Sequence, residues 1–302
     1  MDAKKRISMD SKKLVSVIIA CYNMGHFLPL AIQSVLDQSY QDFEILVVDD
    51  GSTDNTCEAM KQFEGNPKIR FFHQTNQGQA SAKNKGIREA RGNFIAFLDA
   101  DDLWTPNKLE IQLPCFDISR SVGVVYTNVA RIDENGTIIQ TPKMGFYSGK
   151  ISGRLLVDNF VTGMASIVRR ECFDTVGLFD ETYPMGIDYD LWLRISAHYE
   201  FFYLDKVTYL YRQWSGQMSH NYKKRLECAI KIMNKFLERH PDLVDKATVN
   251  EAWGHTYVAK GSCIARFEKN KIGAFREYIR ALQYTPTYIP AWKGIAKLLI
   301  RR

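Results

Sequence analysis

The six cysteines of this chain, Cys21, Cys57, Cys115, Cys172, Cys228 and Cys263, include no CxxC pair. Without paired spacing the sequence indicates neither a zinc site nor a disulfide framework, and reduced thiols in a cytosolic protein are expected. No apolar run reaches the roughly 18 residues needed to cross a bilayer. The charged opening MDAKKRISMDSKK lacks the apolar stretch of a signal peptide, and residues 1–12 are expected to form a loose tail. No basic run is interleaved with aromatics, which argues against a nucleic-acid partner. The net charge of +6 is diffuse apart from that opening and the closing KLLIRR. A mild surplus of this kind suits an anionic phosphate ligand or an anionic membrane surface.

What remains is an ordinary soluble composition, 45% hydrophobic and 25% charged over 302 residues, enough for one large domain or two smaller ones. LVSVIIACYN (residues 14–23), EILVVDD (44–50) and FIAFLD are apolar, β-branched or aromatic runs that read as buried strands, and IRFFHQ reads as a further strand. Between them lie FLPLAIQSVLDQS, GSTDNTCEAMKQF and QASAKNKGIREARG, with helical spacing or cap residues, the last closed by Gly92 as a C-terminal signal. The βαβαβαβ rhythm predicts a parallel, doubly wound α/β sheet. VGVVYTNVARI and TIIQTP then form a hairpin across the Asn135-Gly136 turn. A strand is predicted over 163–169, a helix from Asp188, and another strand in FFYLDKVTYLYR. From about residue 220 the pattern is helical, with candidates over 223–240, 250–267 and 271–284. Trp253, Gly254, Tyr257, Ala281, Leu282 and Pro286 faintly suggest a TPR helix pair, but no second copy follows at a 34-residue period.

Two predicted strands end in acids: VVDD at Asp49 and Asp50, and FLDADD at Asp99, Asp101 and Asp102. In an open parallel sheet ligands bind beyond the carboxyl ends of the strands, so these tips and that of the first strand should share one crevice. Clustered carboxylates repel each other and are costly to bury. A hard divalent ion, Mn²⁺ or Mg²⁺, would offset that repulsion and leave positions for substrate phosphates. A bare DxD is weak, since acidic turns are common and solvated; DADD at the end of a fourth βα unit is more specific. In VVDDGSTD, Ser52, Thr53 and Asp54 also suit a helix cap, and Asp54 capping while Asp50 faces a ligand is compatible with both readings.

With these residues in view the chain resembles family 2 glycosyltransferases. The matching pieces are VSVIIACYN, VVDDGSTD, NQGQASAKNKGIREARGNFIAFLDADD, VGLFDE, GIDYDLWLRI and YRQWSGQMS, in that family's order over about residues 14–220. The resemblance implies the GT-A fold over 13–220, a Rossmann-like, mostly parallel sheet with helices on both faces. A C-terminal helical region, 221–302, follows, either TPR-like or in contact with a membrane. It implies an inverting transfer of single sugars from a nucleotide-diphosphate sugar, most simply a UDP-sugar, to a glycan, lipid-linked or protein acceptor in surface polysaccharide, glycolipid or glycoprotein assembly. Ala20 and Tyr22 match the base-contacting positions, and Asp50 the acid that accepts from a uracil-like ring. Asp99, Ala100 and Asp101 match the DxD motif: Asp101 would ligate the metal, Asp99 would face the ribose or the metal's water shell, and Ala100 lies between them against the nucleotide. Asp102 is expected as a cap or supporting acid before Pro106. Lys83 lies where a cation would meet the diphosphate, a solvated lysine being the alternative. Asp188 matches the catalytic base, the plain alternative being a helix N-cap, with Asp190 a weaker candidate.

Two departures stand out. Ile187 occupies a place that often carries Glu, and Trp214 one that often carries His near the metal. Indole offers no lone pair to a cation, which leaves water or His220 as a third ligand. The QxxRW signature of processive polymerising members is absent. AWKGIAKLLIRR reads as an interfacial helix with peripheral contact to the cytoplasmic face of a membrane, or as an ordinary amphipathic helix packed on its neighbour. A sugar nucleotidyltransferase would carry a Gly-rich basic loop where ACYNMGHFL stands. A degenerate sugar-nucleotide-binding or scaffold protein is the non-enzymatic rival, favoured by Ile187 and Trp214.

Overall fold

The computed structural model describes residues 13–142, 147–216 and 222–300; the predicted N-terminal tail and His220 lie outside them. Four parallel strands, β1 (Val15–Cys21), β2 (Phe43–Asp49), β3 (Ile69–His73) and β4 (Phe94–Asp99), lie side by side in the order β3-β2-β1-β4. They alternate with helices α1 (Leu28–Leu36), α2 (Thr56–Met60) and α3 (Gln79–Glu89). The connections run outward from β1 in both directions, so the strand order reverses between β1 and β4. That is the point at which a doubly wound sheet opens a ligand crevice.

The sheet then continues as a mixed one. Further along come β5 (Leu103–Trp104), α4 (Lys108–Gln112), β6 (Val122–Ile132), β7 (Ile138–Gln140), α5 (Ser152–Val157), β8 (Ile167–Arg169), α6 (Arg170–Val176), α7 (Ile187–Ser196) and β9 (Glu200–Arg212). β8 pairs antiparallel with β4, and β6 antiparallel with β8; β9 runs parallel to β6 and closes on β5. The β6–β7 hairpin turns at Gly136, whose φ of +89° is the left-handed conformation that glycine adopts without a Cβ clash.

β1 shows why the sheet forms. Val15, Val17 and Ile19 pack on one face with α1 and α4, while Ile18 packs on the other with α3 and α7. Alternate residues of a strand point to opposite faces, so a strand covered on both sides is apolar throughout. Residues 163–169 are only partly extended: a 3₁₀ turn at Gly163–Ala165 precedes the strand. Gly92 does not cap α3, which ends at Glu89. It lies against β1 instead, its N–H donating to Ser16 Oγ, where a Cβ would stand 2.6 Å from the Leu14 carbonyl oxygen.

The C-terminal helices are α8 (Tyr222–Arg239), α9 (Lys246–Cys263), α10 (Lys271–Tyr284) and α11 (Ile289–Ile300). α9 starts earlier than its apolar pattern indicates because Asp245 caps it, accepting from Thr248 N. Cys228, Ile232, Met233 and Phe236 of α8, with Trp253 of α9, join the same apolar core as Leu191 and Trp192 of α7. The core therefore runs across the expected boundary near residue 220. Lys235 reinforces the junction with a 2.6 Å ion pair to Asp180. α11 is different: only Ala291 is buried, and Trp292, Leu299 and Ile300 stay exposed. Among the described residues no helix is long and apolar enough to cross a membrane.

Candidate active site

Strand register brings the predicted residues together. Cys21 of β1 pairs with Asp49 of β2, and Ala20 with Asp99 of β4. Half-buried Ala20 and exposed Tyr22 thus stand beside Asp99 at the switch point. The β1 and β2 loops are knitted by Asn23, whose Oδ1 accepts from Thr53 N and Asp54 N and whose own N–H donates to Ser52 Oγ. Asp54 accepts from Thr56 N and Oγ1 and from Gly25 N. Burial tends to raise its pKa, but those donors outweigh burial and lower it. Asp54 is therefore the structural acid of this loop.

Asp50 is buried and accepts from Gln74 Nε2 (2.8 Å), Gln77 N (2.9 Å) and Gly78 N (2.7 Å). A carboxylate offers about four acceptor sites; three are filled here, and one remains for a ring N–H. Asp49 turns to the opposite side. Fully buried, it accepts from Ser52 N and Oγ through Oδ1 and meets His73 Nδ1 and Cys57 Sγ through Oδ2.

The three acids after β4 have three environments. Asp99, with 39% of its side chain exposed, faces the buried ammonium of Lys83 at 3.2 Å. Lys83 is thus a buried cation of the crevice and not a solvated lysine. Asp101 is half-buried, and its Oδ2 accepts from the Trp214 indole at 2.8 Å. Asp102 is buried and accepts from Tyr209 OH (2.5 Å) and Arg212 N (2.7 Å). It is neither a cap nor a crevice acid; it ties the post-β4 turn to β9. Burial pushes its carboxyl well above the usual range, and the charges of Asp101 and Asp99 push the same way. Arg212, also buried, fixes the turn further by donating to the Asp101 carbonyl oxygen. Ala100 turns its methyl into the core, so only its main chain can meet a nucleotide.

Asp188 is the second residue of α7, whose N-cap is Gly186 in the left-handed region. The N-cap reading therefore falls on the neighbouring glycine. The Asp188 carboxylate is half-buried beside Gly163, with one long hydrogen bond, 3.4 Å, from Asn159 Nδ2. Burial raises its pKa; the N–H of Tyr189, the positive charge of Lys83 and Asn159 oppose the rise. Lys83 thus pairs with Asp99 and also places positive charge on Asp188, with Met164 Sδ 3.7 Å from its ammonium. Asp190 is not a second base, because Arg194 clamps it at 2.6 Å while also donating to the carbonyls of Val176 and Leu178. Ile187 is buried in the core.

Asn159, Met164, Tyr209 and Arg212 were not singled out by sequence reasoning. Each acts through a contact more than 28 positions away along the chain; Arg212 stands inside the YRQW motif, and nothing local marks the other three. As for a metal, carboxylate oxygens at Asp99 and Asp101 are the donor chemistry a hard divalent ion takes, although one oxygen of each already accepts from Lys83 or Trp214. The donor set fits such an ion. Among the described residues, however, the three ligand-type side chains that lie closest together are Asp49, Cys57 and His73, whose ligand atoms are all within 4.8 Å of one another.

Comparison with known proteins agrees with this fold. Residues 16–177, more than half of the chain, match the family described as Glycosyl transferase family 2. An uncharacterized glycosyltransferase of Rickettsia bellii is 36% identical over 193 residues, which cover 64% of this chain and 27% of that protein. Chondroitin synthase of Escherichia coli is 31% identical over 197 residues, 65% of this chain and 28% of that one. The chain thus spans under a third of the length of these relatives. Among solved structures, S. aureus TarS 1-349 in complex with UDP superimposes with a TM-score of 0.67 at 17% identity, covering 94% of this chain and 88% of that one. A UDP-GlcNAc complex of the same fragment also superimposes, with a TM-score of 0.62. A β1–β4 crevice lined with acids and a GT-A-like fold accompany the match over residues 16–177, and the chain belongs to glycosyl transferase family 2.

Proposed function

We propose that this protein transfers single sugars, with inversion, from a nucleotide-diphosphate sugar to an acceptor hydroxyl. The observation that carries the reading is Lys83, a buried cation 3.2 Å from Asp99 whose positive charge is also felt by Asp188. It supplies positive charge where a leaving diphosphate gains negative charge, in a site where burial strengthens such an interaction. Ala20, Tyr22 and the remaining acceptor site of Asp50 receive the base. Asp188 removes the acceptor proton; a carboxylate whose pKa is raised by burial is better matched to that task near neutral pH. A single displacement through an oxocarbenium-like state needs one base and inverts the anomeric carbon. Mn²⁺ or Mg²⁺, held by Asp101 with Asp99, would add charge stabilisation at the diphosphate when bound.

UDP is the favoured nucleotide because the TarS fragment of similar fold was solved with UDP and with UDP-GlcNAc. The similarity to a chondroitin synthase favours a glycan acceptor and a place in polysaccharide assembly; a lipid-linked acceptor would suit the exposed Trp292, Leu299 and Ile300 beside Lys293 and Lys297 on α11. That face would rest on the cytoplasmic side of a membrane, its apolar residues in the interface and its lysines on anionic lipid. A second reading, nucleotide-sugar binding without turnover, is favoured by the Trp214 indole on Asp101.

One assay separates the two. Purified protein with labelled UDP-sugars and Mn²⁺ is expected to release UDP and label an acceptor, and Asp188→Asn is expected to lower turnover by roughly 10²- to 10⁴-fold while nucleotide still raises the melting temperature. Full transfer by Asp188→Asn would remove Asp188 from the role of base. Nucleotide binding with no turnover by the wild type would establish the second reading.

A further inference from the structure

Outside the crevice, the tips of β2 and β3 and the first turn of α2 bring together three side chains of different chemistry. Asp49 contributes a fully buried carboxylate, and Cys57 and His73 contribute an exposed thiol and an exposed imidazole. Asp49 Oδ2 lies 2.8 Å from His73 Nδ1 and 3.6 Å from Cys57 Sγ. We propose that Asp49, Cys57 and His73 form a zinc site, distinct from the acids after β4, that fastens the β2 tip to β3.

The two distances to Asp49 suit this ion, and the sulfur and nitrogen lie within 4.8 Å of each other. Zinc–ligand bonds of about 2.0–2.3 Å in a tetrahedron put an oxygen and a nitrogen about 3.4 Å apart and a sulfur and an oxygen about 3.6 Å apart. The sulfur–oxygen edge is already at that length, and the nitrogen–oxygen edge must open by about 0.6 Å, a small movement for an exposed imidazole. The fourth position would face solvent, since two of the three ligands are exposed.

The surroundings also resemble those of a built site. Ligating carboxylates are commonly held by hydrogen bonds to their other oxygen. Here Ser52 N and Oγ both hold Asp49 Oδ1, leaving Oδ2 turned to Cys57 and His73. A thiolate, an imidazole and one carboxylate form a borderline-soft set that selects Zn²⁺ over Mg²⁺ or Mn²⁺, whereas the all-carboxylate acids after β4 have the opposite preference. His73 directly precedes Gln74, the first of the three donors to Asp50. An ion here would therefore stiffen the loop that borders the crevice. The inference does not depend on the sugar-transfer reading.

The test uses untagged, reduced full-length protein equilibrated with Zn²⁺ in a large excess of Mg²⁺, which occupies hard oxygen sites. One zinc per chain is expected by elemental analysis, with a rise in melting temperature. Cys57→Ser and His73→Ala are each expected to weaken zinc binding by at least about 100-fold, beyond the effect of losing a supporting hydrogen bond. Co²⁺ in place of zinc should give a thiolate-to-metal charge-transfer band in the wild type that is lost in Cys57→Ser, a readout that requires no comparison of stabilities. Absence of that band in the wild type, no zinc retained against Mg²⁺, or zinc retained equally by both variants would each overturn the site.

Discussion

The two acidic strand tips look alike as text and behave differently in the fold. At the β2 tip Asp49 and Asp50 are both buried, and they meet neutral donors and an imidazole from β3, α2 and the adjoining loops. At the β4 tip only Asp102 is buried; Asp99 and Asp101 stay partly open and meet a lysine and an indole from distant elements. Asp49 shapes the loops and Asp50 keeps one acceptor position beside three filled ones, whereas Asp99 and Asp101 carry charge into the crevice and Asp102 stays behind them. What separates scaffold acids from ligand-facing acids is the kind and number of donors around them, not the spacing of Asp in the chain. Asp101→Asn and Asp50→Ala set this difference against itself. Asp101→Asn keeps an acceptor for Trp214 but removes the charge, and transfer is expected to fall by about 10²- to 10³-fold, the scale of lost electrostatic stabilisation, with stability changed by no more than about 0.5 kcal/mol. Asp50→Ala strips three donors of their acceptor and is expected to cost about 1.5–3 kcal/mol in denaturant unfolding. Equal stability losses in the two variants would erase the distinction.

Within the β4 group, Asp102 is the scaffold member, and pH should reveal it. Its carboxyl is pushed well above the usual range, first by burial and then by the charges of Asp101 and Asp99. An unfolded aspartate releases its proton near about pH 3.9, so above that value the unfolded chain is ionised while the folded chain still holds the proton. The folded state then binds more protons, and stability falls as pH rises from the unfolded value through the folded one. Asp102→Asn carries no such proton, and its Oδ1 can still accept from Arg212 N. Denaturant unfolding across that range should show a downward slope with pH in the wild type that is shallower in Asp102→Asn, the gap growing by up to about 1.4 kcal/mol per unit. Parallel curves would mean that Asp102 is ionised in the fold.

How far the sequence carries depends on whether a residue acts through its neighbours in the chain. The β1–β4 core was legible because a strand covered on both faces must be apolar at every position, and VSVII is nearly so. The crevice was legible for the same reason: parallel register fixes which tips meet. Asp50 and Asp99 are legible as neighbours because they sit at those tips, whereas Lys83, on α3, is marked only by the family resemblance. Of the two readings of Asp102 the supporting acid holds and the cap does not, while Gly92 and Asp190 serve contacts other than a helix end or a base. Tyr209 and Ser16, the partners of Asp102 and Gly92, are chosen by tertiary packing and no spacing rule reports them, whereas Arg194 stands four residues after Asp190 on α7, a helical spacing that does. The thiol of Cys57 illustrates the limit most clearly. A search for paired cysteines passes over it, because its companions Asp49 and His73 come from two other elements and converge only once β2 and β3 pair.

Trp214 gives the smallest and most discriminating test of the β4 group. Its N–H donates to Asp101 Oδ2 while its ring lies 5.3 Å from that of Phe27. Trp214→Phe keeps an aromatic ring beside Phe27 and removes the donor, so the loss of stability should be about 0.5–1.5 kcal/mol, the scale of an ordinary hydrogen bond, because both partners are partly exposed and water takes over part of the interaction. The catalytic consequence turns on what that bond does. If the indole competes with a divalent ion for Oδ2, its removal lowers the Mn²⁺ concentration needed for half-maximal transfer, and this is the expected result, because the bond occupies an oxygen the ion would use. If the indole instead orients Asp101 toward the ion, the requirement rises. A shift in neither direction, with transfer intact, would place the ion away from Asp101 and return that acid to the scaffold alongside Asp102.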